Sequence, residues 1–188
     1  MFLNRLSKLP IKQFYNVRFN STAAYDEAIK LIRQDLKTNI RLKSDNLEKN
    51  VIRSILTEVK NLEISNKQNK ESNEFQLYDL LNSMINQRLK TSEIYLKEGS
   101  PDRFKQVGLN ELREIKYIEK YLNSLPCSTI KEIDLKVLEI ANTLKKDGLL
   151  NDSKSLFSRI PWKTIQSDWK ASKDMVSSSV NRIYNELK

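Results

Sequence analysis

Across 188 residues the chain has no histidine, one cysteine, three glycines and four prolines. Without histidine there is no Ser-His-Asp or Cys-His nucleophile system, no imidazole metal ligand and no general base of the commonest kind. Cys127, standing alone, forms neither an internal disulfide nor a thiolate zinc cluster. Gly99, Gly108 and Gly148 are too far apart for a phosphate-cradling loop or a dinucleotide fingerprint. No apolar run reaches the length of a membrane span. What is left is carboxylate, lysine or hydroxyl chemistry, or none, and neither a cofactor nor a metal is expected.

What is abundant is Leu, Ile, Lys, Glu and Asn, with 39% hydrophobic and 30% charged residues. That composition supports a folded core and favours helices over many-turned β architectures. The charge is uneven. Residues 1–20 hold Arg5, Lys8, Lys12 and Arg18 among Phe2, Leu3, Leu6, Leu9 and Phe14, with no acid before Asp26. A basic, acid-free amphipathic stretch fits a mitochondrial presequence better than a solvated tail. Cleavage is expected near Asn20 or Ser21. Beyond residue 20 there are 29 bases against 24 acids, so the formal +9 falls to +5. This is compatible with RNA contact without demanding it, and nothing calls for DNA.

Apolar residues recur at helical spacing almost throughout. The pattern predicts a first helix over about residues 24–42, with Ala28, Ile29, Ile32, Leu36 and Ile40 on one face. A second helix, capped by Ser44 or Asp45, buries Leu47, Val51, Ile55, Leu56, Val59 and Leu62. Residues 65–73 carry no apolar side chain and read as a connector. A third helix over about residues 74–98 turns Phe75, Leu77, Tyr78, Leu81, Met84, Ile85 and Leu89 inward. Gly99 suits its C-terminal turn, and Ser100-Pro101 reads as an N-cap and first-turn proline. A fourth helix buries Phe104, Leu112, Ile115, Ile118 and Leu122 and stops before Pro126. Thr129 and Glu132 have capping-box spacing for a fifth, ending near Gly148. Residues 152–187 predict two or three short helices broken around Pro161 and around residues 171–174. The fold class is all-α, organised as an N-terminal helical domain over residues 21–98 and a small C-terminal helical domain over residues 99–188.

Glu111 and Glu114 lie about one helical turn apart, so both carboxylates share a face. They suit an acid/base pair or a metal site, but Arg88 and Arg113 favour structural ion pairs between the third and fourth helices. Arg88 and Ser92, at i and i+4, read as an interhelical polar anchor. From Asp152 onward seven bases and four acids accompany Trp162, Trp169 and Tyr184. Such interleaving can place cations on phosphates and rings on exposed nucleobases. Lys163, Lys170, Lys173 and Arg182 are the candidate RNA contacts. The two tryptophans, seven apart with Ile165 between them, read as core of one helical face.

Several polar residues stand at fixed offsets. They are Arg53-x-x-x-x-Glu58-x-Lys60, Gln87-Arg88 with Ser92, Tyr95 and Gly99, and Glu111-x-x-Glu114 followed by Tyr121-Leu122. In this set the chain resembles the YqeY-like proteins, relatives of the C-terminal tail of the B subunit of the tRNA-dependent amidotransferase. The resemblance runs from about Tyr25 to the C-terminus and is densest from Gln87 to Pro126. It implies an all-α fold whose C-terminal domain is of the amidotransferase-tail type. It also implies an accessory role in mitochondria beside tRNA or the tRNA amidotransferase. Carbon-nitrogen ligase activity with glutamine as amide donor is the alternative it carries, and a structural part in a mitochondrial assembly is another. The chain departs from the pattern at Ser100-Pro101-Asp102-Arg103 after the glycine turn and at Asn123-Ser124 before Leu125-Pro126. Its tail has Trp162-Lys163 and Trp169-Lys170 where the family has glycines.

Overall fold

The computed structural model describes residues 21–66 and 72–187. The expected presequence lies outside them. Among the described residues there are eight helices. They are α1 Ala23–Arg41, α2 Asn46–Ser65, α3 Glu74–Tyr95, α4 Asp102–Leu122, α5 Ile130–Lys146, α6 Ser153–Arg159, α7 Ile165–Asp168 and α8 Lys173–Leu187. The only β feature among these residues is an isolated parallel bridge between Ser21 and Ser72. The all-α class holds.

Several helices start where a short polar side chain meets a free amide. Thr22 accepts from the Tyr25 N–H, Asp45 from Leu47, Asn73 from Gln76 and Asp152 from Ser155. Thr129 and Glu132 complete the expected capping box. Such caps contribute about 1 kcal/mol apiece. Of the two expected caps for α2, Asp45 serves, while the Ser44 hydroxyl donates to the Asn39 carbonyl. Pro101 is itself the N-cap of α4 and Asp102 its first residue, one position later than expected. Gly99 takes φ +86, which closes the α3–α4 turn at no steric cost.

The core runs continuously from Tyr25 on α1 to Ile183 on α8. Ile52, Ile55, Leu77, Leu81, Ile118, Ile133 and Leu156 are all sealed from solvent, each contributing roughly 1.5–3 kcal/mol. α3 lies along α4 in the most extensive helix pairing, with α1 and α2 against them, while α5, α6 and α8 pack on one another. A boundary at residues 98/99 therefore falls inside the α3–α4 hairpin.

Some inward assignments fail. Ile40, Leu89 and Phe104 are 52%, 38% and 37% exposed. Ile40 lies in the last turn of α1. Leu89 and Phe104 lie towards the tip of the α3–α4 hairpin, where no residue from Glu93 to Val107 is buried. Ile52, outside the expected α2 stripe, is fully buried, because α2 is flanked by α1, α3 and α4 and so buries a broader arc. The third helix ends at Tyr95 rather than near residue 98.

Candidate functional site

The polar signature surrounds the α3–α4 hairpin. Arg88 Nε donates to Glu114 Oε2 at 2.9 Å, and Arg88 Nη1 donates to the Met84 carbonyl. The guanidinium is thus fixed by its own helix on one side and by α4 on the other. Glu111, one turn before Glu114, is partly buried. Burial and, after it, the neighbouring Glu114 charge raise its pKa, while Arg88 offsets part of the rise. Arg113 departs from the expected pairing: it reaches Asp45 at the start of α2, at 3.2 Å. Among the described residues, the Arg88–Glu114 pair is the one ion pair that joins the third and fourth helices.

Ser92 is buried, but its hydroxyl donates to the Leu89 carbonyl at 2.8 Å within its own helix. It is not an interhelical anchor. Tyr95 packs against Phe104 with ring centroids 5.7 Å apart, closing the hairpin tip beside Gly99. Gln87 is exposed. Arg53 is exposed and reaches only Asn50, while Glu58 accepts from Asn61; both contacts stay within α2. Tyr121 is buried and its hydroxyl donates to Asp35 of α1 at 3.0 Å. Lys120 meets the same carboxylate oxygen at 2.6 Å. Burial, and then Asp35, push the Tyr121 phenol upward, so it stays a hydrogen-bond donor.

In the C-terminal part, Trp162 and Trp169 pack partly buried against the core, as expected, but not on one helix. α7 spans only Ile165–Asp168, so a turn and a C-cap position hold the two rings. Trp162 Nε1 donates to the Phe157 carbonyl at 2.8 Å and its ring stacks on Phe157 at 5.8 Å. Lys136 lies 5.7 Å from the Trp169 ring centroid. Lys163, Lys170 and Lys173 are exposed. Arg182 is not free in the same way: its guanidinium pairs with Asp134 of α5, which also accepts from the Ser179 hydroxyl. Cys127 is half-buried at the α4–α5 junction, and burial pushes its thiol up to about 12. A thiol so poised is no nucleophile at neutral pH.

Residues 29–148 match the Yqey-like protein family. The chain belongs to the YqeY-like family. It is also similar to fungal proteins named "Altered inheritance of mitochondria protein 41, mitochondrial". One from Komagataella phaffii is 57% identical over 92% of this chain and 90% of its own length. One from Vanderwaltozyma polyspora is 37% identical over 91% and 90%. A Saccharomyces cerevisiae protein is 31% identical over 100% and 99%.

The acids that bind this YqeY-like protein together were largely invisible in its sequence. Asp35, Asp45 and Asp134 each receive a cation from another helix. Asp79 of α3 accepts from the Ser172 hydroxyl at 2.6 Å, and Ser172 in turn caps α8 through the Met175 N–H. Burial drives the Asp79 carboxyl up to about 6, with the Asp174 charge adding to the rise and the Ser172 bond opposing it. One local signal for Asp79 existed, a carboxylate set between Tyr78 and Leu81 on an otherwise inward face. Among the described residues, no three acids or thiols cluster closely enough to hold a metal ion, and no helix is long and apolar enough to cross a membrane.

Proposed function

We propose that this YqeY-like protein is an accessory protein of the mitochondrial matrix. It has no catalytic centre of its own and acts beside tRNA or the glutamine-dependent tRNA amidotransferase. The observation that carries this reading is the Arg88–Glu114 ion pair. The carboxylate that an acid/base role would need is occupied in holding α3 on α4. Function is thereby left to exposed surfaces, on which Lys163, Lys170 and Lys173 make no ion pair among the described residues. The names of the fungal relatives support the mitochondrial setting, and the acid-free basic residues 1–20 agree with it.

The test is titration of fluorescent tRNA with the purified protein at rising salt. Binding that weakens steeply between about 50 and about 200 mM salt, and weakens further on changing Lys163, Lys170 and Lys173 to Ala, supports the reading. No retention of tRNA even at low salt removes direct RNA contact. Affinity purification from mitochondria, with and without nuclease, then separates an RNA-bridged partner from a protein-bound one.

A second reading, glutamine-dependent carbon-nitrogen ligation, is favoured by Glu111 alone. A partly buried carboxyl beside a second carboxylate, with its pKa raised, is the kind of group that holds a transferable proton. Glutamine- and ATP-dependent transamidation by the purified chain, abolished by Glu111→Gln, would establish that reading in place of the first.

A further inference from the structure

We propose that the outward face of α1 is a contact surface for the sugar-phosphate backbone of a folded RNA. Lys30, Arg33, Lys37 and Arg41 are all exposed. At 100° per residue they fall within an arc of roughly 80°, and at 1.5 Å rise they span about 16 Å along the helix. Successive steps of about 4.5 to 6 Å place a cation opposite each of several neighbouring phosphates. None of the four makes a side-chain hydrogen bond or ion pair among the described residues.

Two features distinguish this face from an ordinary solvated one. The acid embedded in the same stretch, Asp35, lies roughly 140° around the helix from Lys30 and is taken up by Lys120 and Tyr121 of α4. The three turns from Lys30 onward therefore present only positive charge outward. Independently, Lys30, Arg33 and Lys37 line an open groove of about 630 Å³, lined also by Tyr25 of the same helix and by Glu63 and Ser72 from outside it. Its two acids are engaged. Glu63 accepts from the Tyr25 hydroxyl and from Lys60, and Asp26 accepts from the Ser21 hydroxyl. Leu31 and Ile40, 38% and 52% exposed, are the large apolar side chains most open to solvent on this helix, and at 100° per residue they lie on opposite flanks of the cationic arc rather than in one apolar face. A membrane surface, which takes an apolar face as well as charge, fits it less well than a polyanion does.

The inference rests on the reading that the protein works beside RNA, and the experiment keeps the two apart. Bulk tRNA is titrated with wild-type protein, with Lys30→Gln/Arg33→Gln/Lys37→Gln/Arg41→Gln, and with Lys163→Ala/Lys170→Ala/Lys173→Ala. Four phosphate contacts at roughly 0.7 to 0.9 counterions apiece make the log-log salt slope shallower by about three in the α1 variant. For a fourfold drop in salt the α1 variant therefore gains roughly 60-fold less affinity than the wild type. The charge-keeping variant Arg33→Lys/Arg41→Lys retains binding, and an unchanged helical circular dichroism spectrum shows the fold intact. Unaltered tRNA binding by the α1 variant, with loss in the C-terminal one, overturns the inference and leaves the general reading in place. Absence of wild-type binding overturns both. So does capture by phosphatidylcholine vesicles containing phosphatidylglycerol, lost in the α1 variant, when tRNA is not bound.

Discussion

Arg88 on α3 and Glu114 on α4 meet at 2.9 Å with side chains only 14% and 22% exposed. The pair spans the longest helix interface of the fold, and each partner is nearly out of solvent. Removing one partner leaves the other a poorly hydrated charge, which costs more than the pair itself is worth. Glu114→Gln, or Arg88→Met, is expected to lower stability by about 2–3 kcal/mol, somewhat under the fully buried value because water still reaches the site. The double change Arg88→Met/Glu114→Leu is expected to cost less than the sum of the singles. Urea unfolding of the four proteins in a double-mutant cycle measures the coupling.

Asp79 gives a pH dependence whose sign is unusual for an aspartate. Its folded pKa, up to about 6, lies above the ordinary 3.8. Between those values the folded state binds more protons than the unfolded chain, so this group's contribution to stability falls as pH rises. The penalty is absent below pH 3.8 and complete above about pH 6. Asp79→Asn keeps an acceptor for the Ser172 hydroxyl. It should raise the urea midpoint at pH 7 and flatten the pH profile between pH 4 and 6. An unaltered profile would mean that Asp79 is not held above its ordinary range.

Gly108 lies inside α4, facing the end of α3. A Cβ built there would approach Leu96 Cγ to 2.7 Å. Alanine in a helix interior is favoured over glycine by about 1 kcal/mol, while overpacking costs about 1–3 kcal/mol. Gly108→Ala should thus be neutral to destabilising in the wild-type background and stabilising by about 1 kcal/mol when Leu96→Ala is already present. Thermal midpoints of the two pairs of proteins decide it.

Lys170 follows the C-cap of α7 with φ +48. A left-handed conformation costs a lysine roughly 1–2 kcal/mol, whereas glycine gives back about 0.4–1 kcal/mol through the unfolded chain. Lys170→Gly is expected to stabilise by about 0.5 kcal/mol. Comparing Lys170→Gly with Lys170→Ala in the tRNA titration then separates loss of charge from strain at this turn.

The local half of this protein was legible because its signals act over a few residues. The Thr129–Glu132 capping box, the positive-φ turn at Gly99 and the breaks around Pro161 and residues 171–174 depend on neighbours within one or two turns. They stand in the structure where the spacing placed them. The expected inward faces succeeded where several helices surround the residue, as at Ile29, Leu77 and Ile118. They failed at Ile40, Leu89 and Phe104, because burial there depends on whether another helix extends that far.

The sequence by itself determined the helical class, most helix starts and the family, since caps, periodicity and fixed polar offsets are properties of short stretches. Only the tertiary structure decided which charges meet. Asp35 faces Lys120 and Tyr121, Asp45 faces Arg113, and Asp134 faces Arg182 because packed helices come into one particular register. That register is fixed by how core side chains interlock along the whole interface, and no local spacing encodes it. By turning Asp35 inward to α4, it also leaves Lys30, Arg33, Lys37 and Arg41 as an uninterrupted positive face.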